Sequence, residues 1–291
     1  MKPLVGSILA TLLITACGAV AGQSASTPLP LPSPPTAALA RWNDFPANAN
    51  PRPTILFGAF VEHIGPGQFP DNDSKLTWLC NKFVLASGVQ LTSTGPAIAS
   101  ARWPSGATAS YRSIGSARAF SALMARPGGG NSTDCPHLKP FVITNVRWST
   151  AGFSTDRGTA TMSAWLFDVP EAGGFLGYSG IDPSALWGGG IATEGRGAQL
   201  SPDGRTLKIA VSNAQPGPCG SDYTANTAES STAVAVAVKQ IPHVSPGQDV
   251  MCDLMLRGSY ITVRLKAPLG GRVLLDEKGD VGGACPEKGD C

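Results

Sequence analysis

The C-terminal half of the chain alternates apolar and polar positions with a period of two residues, which is the spacing of β-strands. Val234, Val236 and Val238 alternate with alanines, and residues 261–266 alternate branched aliphatic with hydroxyl or charged side chains. Because neighbouring side chains of a strand point to opposite faces, we expect each strand to bury one face. The pattern predicts strands at 159–167, 206–212, 232–239, 260–266 and 272–275.

Paired turn residues separate these apolar runs and keep them short. Residues 201–207 have the pattern of a hairpin turn. No segment repeats with a period of roughly 20 to 50 residues, which disfavours solenoids and propellers. The predicted fold class is therefore mainly β, an antiparallel sandwich or barrel, with one or two short helices in the N-terminal part. The predicted turns are Asp203-Gly204, Pro216-Gly217, Pro246-Gly247 and Gly270-Gly271.

Helical spacing is confined to the N-terminal part. Ser116 is predicted to cap a short helix that stops at Pro127-Gly128. Residues 76–85 fit a helix by their apolar spacing and a strand by their apolar run, so both interpretations stay open. The expected apolar face of the first helix contains Ala117, Phe120, Leu123 and Met124.

The first residues have the pattern of an export signal. Lys2 precedes an apolar run over 3–16 that is too short for an ordinary membrane-spanning helix. The run ends in the four residues 14–17, Ile-Thr-Ala-Cys, which resemble a bacterial lipobox. The resemblance implies cleavage before Cys17 and attachment of a lipid to its thiol. The alternative is an ordinary secretory signal that is cleaved after Ala21 or Ala25.

A segment rich in proline, alanine and serine follows the export signal and ends near residue 40. Such a composition is typical of an extended spacer, so we expect a stalk. The best internal loop is the glycine-rich segment 127–132, where we place a domain boundary. The chain is thus divided into a signal peptide (1–16), a stalk (17–40), an N-terminal mixed α/β part (41–130) and a C-terminal β-rich part (131–291).

The seven cysteines indicate an oxidising compartment. Without Cys17 six remain, an even number that permits three disulfides in 15 connectivities. Cys219 and Cys252 bracket an apparent pair of strands, and Cys285 and Cys291 close a short loop. This leaves the pair Cys80 and Cys135, while the other connectivities stay open.

Several segments resemble, in order, a family of actinobacterial exported proteins and lipoproteins that lack an established activity. The resemblance covers most of residues 115–275 and implies a C-terminal β module with a cysteine pair, which favours Cys219 with Cys252. The family often has a second cysteine shortly before Cys135, and this chain has none. The segments are 116–124, 134–136 with 141–144, 155–161 with 164–167, 217–219 with the valine strand, and Cys252 with 263–265 and 267–272.

Motifs for metal binding or nucleophilic catalysis are absent from the sequence. No Cys-x-x-Cys occurs, and residues 177–180 miss the Gly-x-Ser-x-Gly elbow by one position. Residues 71–74 begin like a calcium loop, but Lys82 stands where a glutamate is required, so we expect a surface turn. The histidines, His63, His137 and His243, are dispersed; we expect a structural or exposed role for His63 and oxidation of Cys135 beside His137. No cofactor or metal site is predicted.

Four carboxylates are the best candidates for catalysis. A glycosidase needs two carboxylates about 5–10 Å apart, and aromatic faces stack on sugar rings. However, Trp165 is expected to lie in the core, and residues 182–190 are expected to form a loop. Both expectations favour a structural role for these residues over a catalytic one. The candidates are Asp168, Glu171, Asp182 and Glu194, which surround Trp165, Phe175 and Trp187 in the sequence.

Charge and the export signal set the expected location and partners. The chain has 22 basic and 20 acidic residues without a dense basic cluster, which argues against a nucleic-acid partner. We expect a lipoprotein on the outer face of the bacterial cytoplasmic membrane, held there by its lipid, with a binding or envelope-associated role towards an unidentified ligand. The alternative is an exported carbohydrate-active hydrolase that uses a carboxylate pair.

Overall fold

A computed structural model describes residues 29–64, 69, 71–126, 135–192, 194–243, 251 and 258–287, and strands dominate them. The α-helices are α1 (Thr36–Ala40), α2 (Asn72–Leu79) and α3 (Ser116–Met124). The first nine strands are β1 (Thr54–Leu56), β2 (Phe60–His63), β3 (Phe83–Leu85), β4 (Ala99–Arg102), β5 (Thr108–Tyr111), β6 (Phe141–Ile143), β7 (Asn145–Thr155), β8 (Gly158–Val169) and β9 (Gly174–Ser179). The others are β10 (Leu186–Ile191), β11 (Ala198–Leu200), β12 (Thr206–Ser212), β13 (Ser221–Glu229), β14 (Ala233–Pro242), β15 (Gly258–Arg264), β16 (Val273–Asp276), β17 (Val281–Gly282) and β18 (Ala284–Pro286). The prediction of a mainly β protein is confirmed.

The largest sheet has eight strands and is built around the long β7–β8 hairpin. Its order is β10-β1-β7-β8-β4-β5, and β9 pairs with β8 and with β2. Side chains of β8 alternate between two cores: Met162 and Leu166 lie in one, Trp165 and Phe167 in the other. Strands from both sides of residue 130 pair in this sheet, and Leu31–Cys291 form one compact unit. The sheet is therefore continuous across the position where the sequence suggested a boundary.

Two four-stranded sheets form a sandwich in the C-terminal part. Their orders are β15-β12-β11-β18 and β13-β14-β16-β17, and a shared apolar cluster includes Leu207 and Val263 from the first and Val234 and Leu274 from the second. The hairpin expected at 201–207 joins β11 to β12 in antiparallel register. The five predicted strands are confirmed as β8, β12, β14, β15 and β16, with end shifts of a few residues.

Strand β14 corrects the expectation that one of its faces is solvent-exposed. Its valines pack into the sandwich core, while Ala233 and Ala235 pack on the other side against Trp42 and Phe45. The alanines are small enough for this second layer to approach the sheet closely. A short, nearly continuous apolar run is typical of a strand that is covered on both faces.

The sheets are mixed rather than purely antiparallel. Parallel pairs occur at β1–β10, β3–β6, β11–β18 and β14–β16. Each of these pairs joins strands that are separated by other elements, because parallel strands need a crossover connection. Turn residues in the sequence indicate hairpins only, which is why these pairings were not predicted.

Helix α3 confirms a predicted element but not its predicted cap. Gly115 occupies the N-cap position, and Ser116 Oγ accepts a hydrogen bond from Thr92 N at 2.7 Å. The helix buries Ala119 and Leu123, so Ala119 takes the place expected for Ala117. The serine side chain thus connects the helix to a neighbouring loop.

The ambiguous segment 76–85 contains both predicted elements. It begins inside α2, whose N-cap Asp71 accepts a hydrogen bond from Ser74 N at 2.7 Å, and it ends in β3. Residues 71–74 are therefore a helix start rather than a surface turn. Trp78 anchors α2 in the core at 3% exposure, and Leu79 is exposed.

The folded body begins before the expected end of the stalk. Helix α1 covers 36–40, its Ala38 is buried, and Pro32 O accepts a hydrogen bond from Asn226 Nδ2 at 3.1 Å. The stalk prediction is therefore wrong for the segment from Leu31 to residue 40, because the apolar residues of α1 cover the alanine face of β14. None of the helices in the described residues has the length and apolarity needed to cross a membrane.

Candidate ligand-binding site

Every cysteine in the described residues is oxidised. Cys80 and Cys135 are joined by a disulfide with Cα atoms 5.7 Å apart, which confirms that predicted pair. Cys219 and Cys285 are also disulfide-bonded. Cys17, Cys252 and Cys291 lie outside the described residues, so the pairings Cys219–Cys252 and Cys285–Cys291 and the lipidation of Cys17 stay predictions.

The four candidate carboxylates lie in different surroundings. Asp168 pairs with Arg147 at 3.3 Å, and Asp182 accepts a hydrogen bond from Ser184 N at 3.1 Å. Glu194 is exposed, and its backbone forms an isolated bridge with the strand β17. Glu171 lines a cavity of about 450 Å³ with Asp71, Asp73 and His137. The structure therefore gives each of these groups its own surroundings.

Asp182, one of the four candidates, has the electrostatics opposite to those of a general acid. Such an acid needs a raised pKa, as the catalytic glutamate of lysozyme has because its carboxyl lies in an apolar pocket. Where carboxyl pKa values in the described residues depart from their ordinary values, the direction is downward. For Asp71 and Asp182 the main cause is a backbone hydrogen bond to the carboxylate, from Ser74 and Ser184 respectively.

The candidate aromatic residues are structural. Trp165 is buried and its Nε1 donates to Ile114 O at 2.9 Å. Trp187 packs edge-on against Phe45 with ring centroids 4.9 Å apart. Phe175 stacks on His63 at 5.3 Å, which gives that histidine a packing role.

The neighbour of His63 also has a structural role. Glu62 accepts a hydrogen bond from Trp78 Nε1 at 2.8 Å and pairs with Arg126. Ser179 lies in residues 177–180, which miss the Gly-x-Ser-x-Gly motif by one position. It is the last residue of a strand, and its Oγ accepts a hydrogen bond from Ile181 N. In the described part of the chain no cluster of three or more His, Cys, Asp or Glu side chains is placed to hold a metal ion.

A cavity of about 510 Å³ lies where five segments of the chain meet. They are the β4–β5 turn, the β7–β8 turn, the β11–β12 hairpin, the segment before β16, and β18 with the residue after it. Its volume is within the usual range of small-molecule sites. The apolar part of its wall consists of Leu200, Pro202, Leu269 and Pro286. We call it the Arg157 cavity, after the cation in its wall.

A buried ion pair joins Asp156, in the wall of the Arg157 cavity, to Arg52. Asp156 Oδ2 contacts Arg52 Nη2 at 2.6 Å, and the two side chains are 1% and 9% exposed. Arg52 Nε also donates to Gly271 O at 2.6 Å. The pair therefore ties the N-terminal segment to the β7–β8 turn and to the segment before β16.

Arg157 extends from the same turn. Its guanidinium carbon lies 3.7 Å from the centroid of the Trp103 ring, and its Nη2 donates to Thr54 Oγ1 at 3.0 Å. Burial lowers the pKa of Arg157, and Asp156 opposes this effect. A guanidinium stays charged in proteins even so, because its ordinary pKa lies far above neutral pH.

A second ion pair supports the opposite wall. Arg272 Nη1 contacts Glu229 Oε2 at 2.9 Å, and the side chains are 10% and 8% exposed. Burial raises the pKa of Glu229, but the hydrogen bonds from Lys266 N and from Arg272 together lower it by more than burial raises it. The net effect is a pKa below the ordinary value. Arg272 also donates to three carbonyls of residues 267–269, which fixes the shape of this wall.

Replacing Glu229 by glutamine is expected to destabilise the protein in a pH-dependent way. The folded-state pKa of Glu229 is below its ordinary value of 4.5, so the carboxylate stabilises the fold above that pH and loses its effect as the pH falls through the folded-state pKa. We expect a loss of about 1–3 kcal/mol near pH 7 and a much smaller one near pH 3. Urea unfolding of both proteins at the two pH values measures this.

The matched control is Glu171→Gln, on an exposed carboxylate. Its unfolding free energy should stay close to that of the wild type at both pH values. A Glu229→Gln effect of the same size at both pH values would contradict the assigned direction of the pKa.

Arg52, Asp156 and Arg157 are site residues that no sequence pattern indicated. Arg52 and Asp156 are 104 positions apart, so no local pattern connects them. The sequence feature that could have indicated Asp156 and Arg157 is their position as two opposite charges in a tight turn between two apolar strands. Charged residues at such a position are expected either to be solvated or to meet a partner.

No protein-family model matches the chain, and no curated protein or solved structure is significantly similar to it. The geometry of the Arg157 cavity is therefore the basis for inferring its function.

Proposed function

We propose that this chain is an extracytoplasmic bacterial lipoprotein, anchored through Cys17 to the outer face of the cytoplasmic membrane, that binds a small ligand in the Arg157 cavity. The observation that carries the binding proposal is the cavity itself. Strands and tight turns hold its walls, which combine apolar residues with polar and charged ones. This combination is typical of a preformed ligand site.

The oxidised cysteines support the proposed location. Disulfides persist outside the cytoplasm and are rare inside it. Cys80, Cys135, Cys219 and Cys285 are all disulfide-bonded. With the apolar run 3–16 and the lipobox-like residues before Cys17, this favours an exported and lipid-anchored protein.

Cys17→Ser is expected to abolish membrane attachment. The thiol is the only group of the lipobox-like segment that can form the thioether, so the variant should lack the lipid mass. Intact mass of the protein from a bacterial host, and its partition between membrane and soluble fractions after alkaline washing, measure the effect.

The control is Ser24→Ala, which leaves residues 14–17 intact and should keep both the lipid mass and the membrane fraction. A wild-type protein without added lipid mass, beginning downstream of residue 17, would overturn the proposed anchor. That result would not bear on ligand binding in the Arg157 cavity, which is tested separately.

A further inference from the structure

We propose that the Arg157 cavity binds an amphipathic anion, a small molecule that joins one acidic group to an apolar body. The acidic group would lie against Arg157, and the apolar body along Leu200, Pro202, Leu269 and Pro286. This inference rests on the proposed binding function and names the chemical class of its ligand.

The charges around Asp156 do not balance. Two guanidinium groups, of Arg52 and Arg157, share one carboxylate, and Asp156 makes its close contact with Arg52. Within the described part of the chain Arg157 forms no salt bridge. The cluster therefore has one uncompensated positive charge in a partly desolvated place, where an anion is bound more strongly than in water.

The other charged groups of the wall are already neutralised. Glu287 pairs with Lys208, and Arg272 pairs with Glu229. Neither pair offsets the charge of Arg157. A cation would therefore meet net repulsion in this cavity, and an anion would meet attraction.

The groups that hydrogen-bond to Arg157 in the described residues are neutral. Trp103 covers one face of the guanidinium, and Thr54 and Tyr111 form hydrogen bonds with it. None of these groups carries a negative charge, so they leave the charge of Arg157 uncompensated.

The size of the cavity and its apolar residues favour a ligand larger than a simple ion. An inorganic anion would fill only a small part of about 510 Å³ and would leave the four apolar side chains uncovered. Burial of apolar surface contributes roughly 25 cal/mol per Å². A ligand with an apolar body uses this wall, and a simple ion does not.

Two fluorescent probes test the inference on the full chain. The anionic probe is 8-anilinonaphthalene-1-sulfonate, and the neutral probe is N-phenyl-1-naphthylamine, a similar ring system without the sulfonate. We expect the wild type to bind both and Arg157→Gln to bind the anionic probe about tenfold more weakly. Affinity for the neutral probe should change less than about twofold, because the apolar wall is intact.

Two further variants control for folding and for charge elsewhere. Arg157→Lys keeps the charge and should recover most of the lost affinity for the anionic probe. Arg147→Gln removes an exposed arginine outside the cavity wall and should leave both affinities unchanged. All proteins are compared in the same buffer, so probe taken up by the apolar leader or a lipid contributes equally.

The outcomes separate the two proposals. If the wild type binds neither probe, the proposed binding function fails. If it binds the neutral probe but Arg157→Gln leaves the anionic affinity unchanged, the cavity binds ligands without using Arg157 and the inference fails. Displacement of the anionic probe by sodium sulfate beyond that by sodium chloride of equal ionic strength would also overturn it, in favour of a site for simple ions. Loss of both affinities in Arg157→Gln alone would assign Arg157 a structural role and overturn the inference.

Discussion

Replacing Asp156 by asparagine is expected to lower the free energy of unfolding by about 3–5 kcal/mol. The change is nearly isosteric but removes the only carboxylate that contacts Arg52 in the described residues, and it leaves two guanidinium groups near each other without an anion. A buried charge that loses its partner is costly, whereas the intact pair adds little net stability. Urea unfolding at neutral pH measures the difference.

The matched control is Asp168→Asn, on the Arg147–Asp168 pair of β7 and β8. There the side chains are 45% and 28% exposed, and water screens their interaction. We expect a loss below about 1 kcal/mol. Equal effects of the two variants would contradict the assignment of Asp156 as a buried counter-ion.

Removing the disulfide between Cys80 and Cys135 is expected to cost about 4 kcal/mol. The bridge spans 55 positions of sequence, and without it the unfolded chain gains the freedom of a loop that contains α3, β4 and β5. The double variant Cys80→Ala with Cys135→Ala avoids a free thiol. Its thermal midpoint should fall by roughly 10 °C for a body of this size.

Lys75→Ala tests whether α2 tolerates change in general, because Lys75 is an exposed residue of the same helix. It should alter stability by less than about 0.5 kcal/mol. A double cysteine variant that is as stable as Lys75→Ala would show that the bridge constrains little of the unfolded chain.

Local patterns predicted those elements whose stability is decided locally. The alternation at 206–212 gave β12 with its correct ends, and the turn at 203–204 gave the hairpin that leads into it. The pair Cys80 and Cys135 was predicted as the remainder after the other four cysteines were paired, out of 15 possible connectivities. The strand and the hairpin needed only neighbours in sequence.

The site could not be predicted in the same way. The Arg157 cavity is assembled from five segments that lie far apart in the sequence, and the contact of Arg52 with Asp156 depends on the complete fold. The candidate carboxylates near Trp187 were grouped because they are close in sequence, but the fold gives each of them different contacts. The cap of α3 was misassigned for a related reason: Ser116 hydrogen-bonds to Thr92, a residue of another segment.

The two covered faces of β14 have a consequence for how this sequence can diverge. The side chains on one face must stay small so that Trp42 and Phe45 can pack against it. Those on the other face must stay branched and aliphatic so that they fill the core of the sandwich. Substitutions in this stretch are therefore confined to a narrow set of residue types. Remote relatives would be recognised by a stretch in which small and branched aliphatic residues alternate.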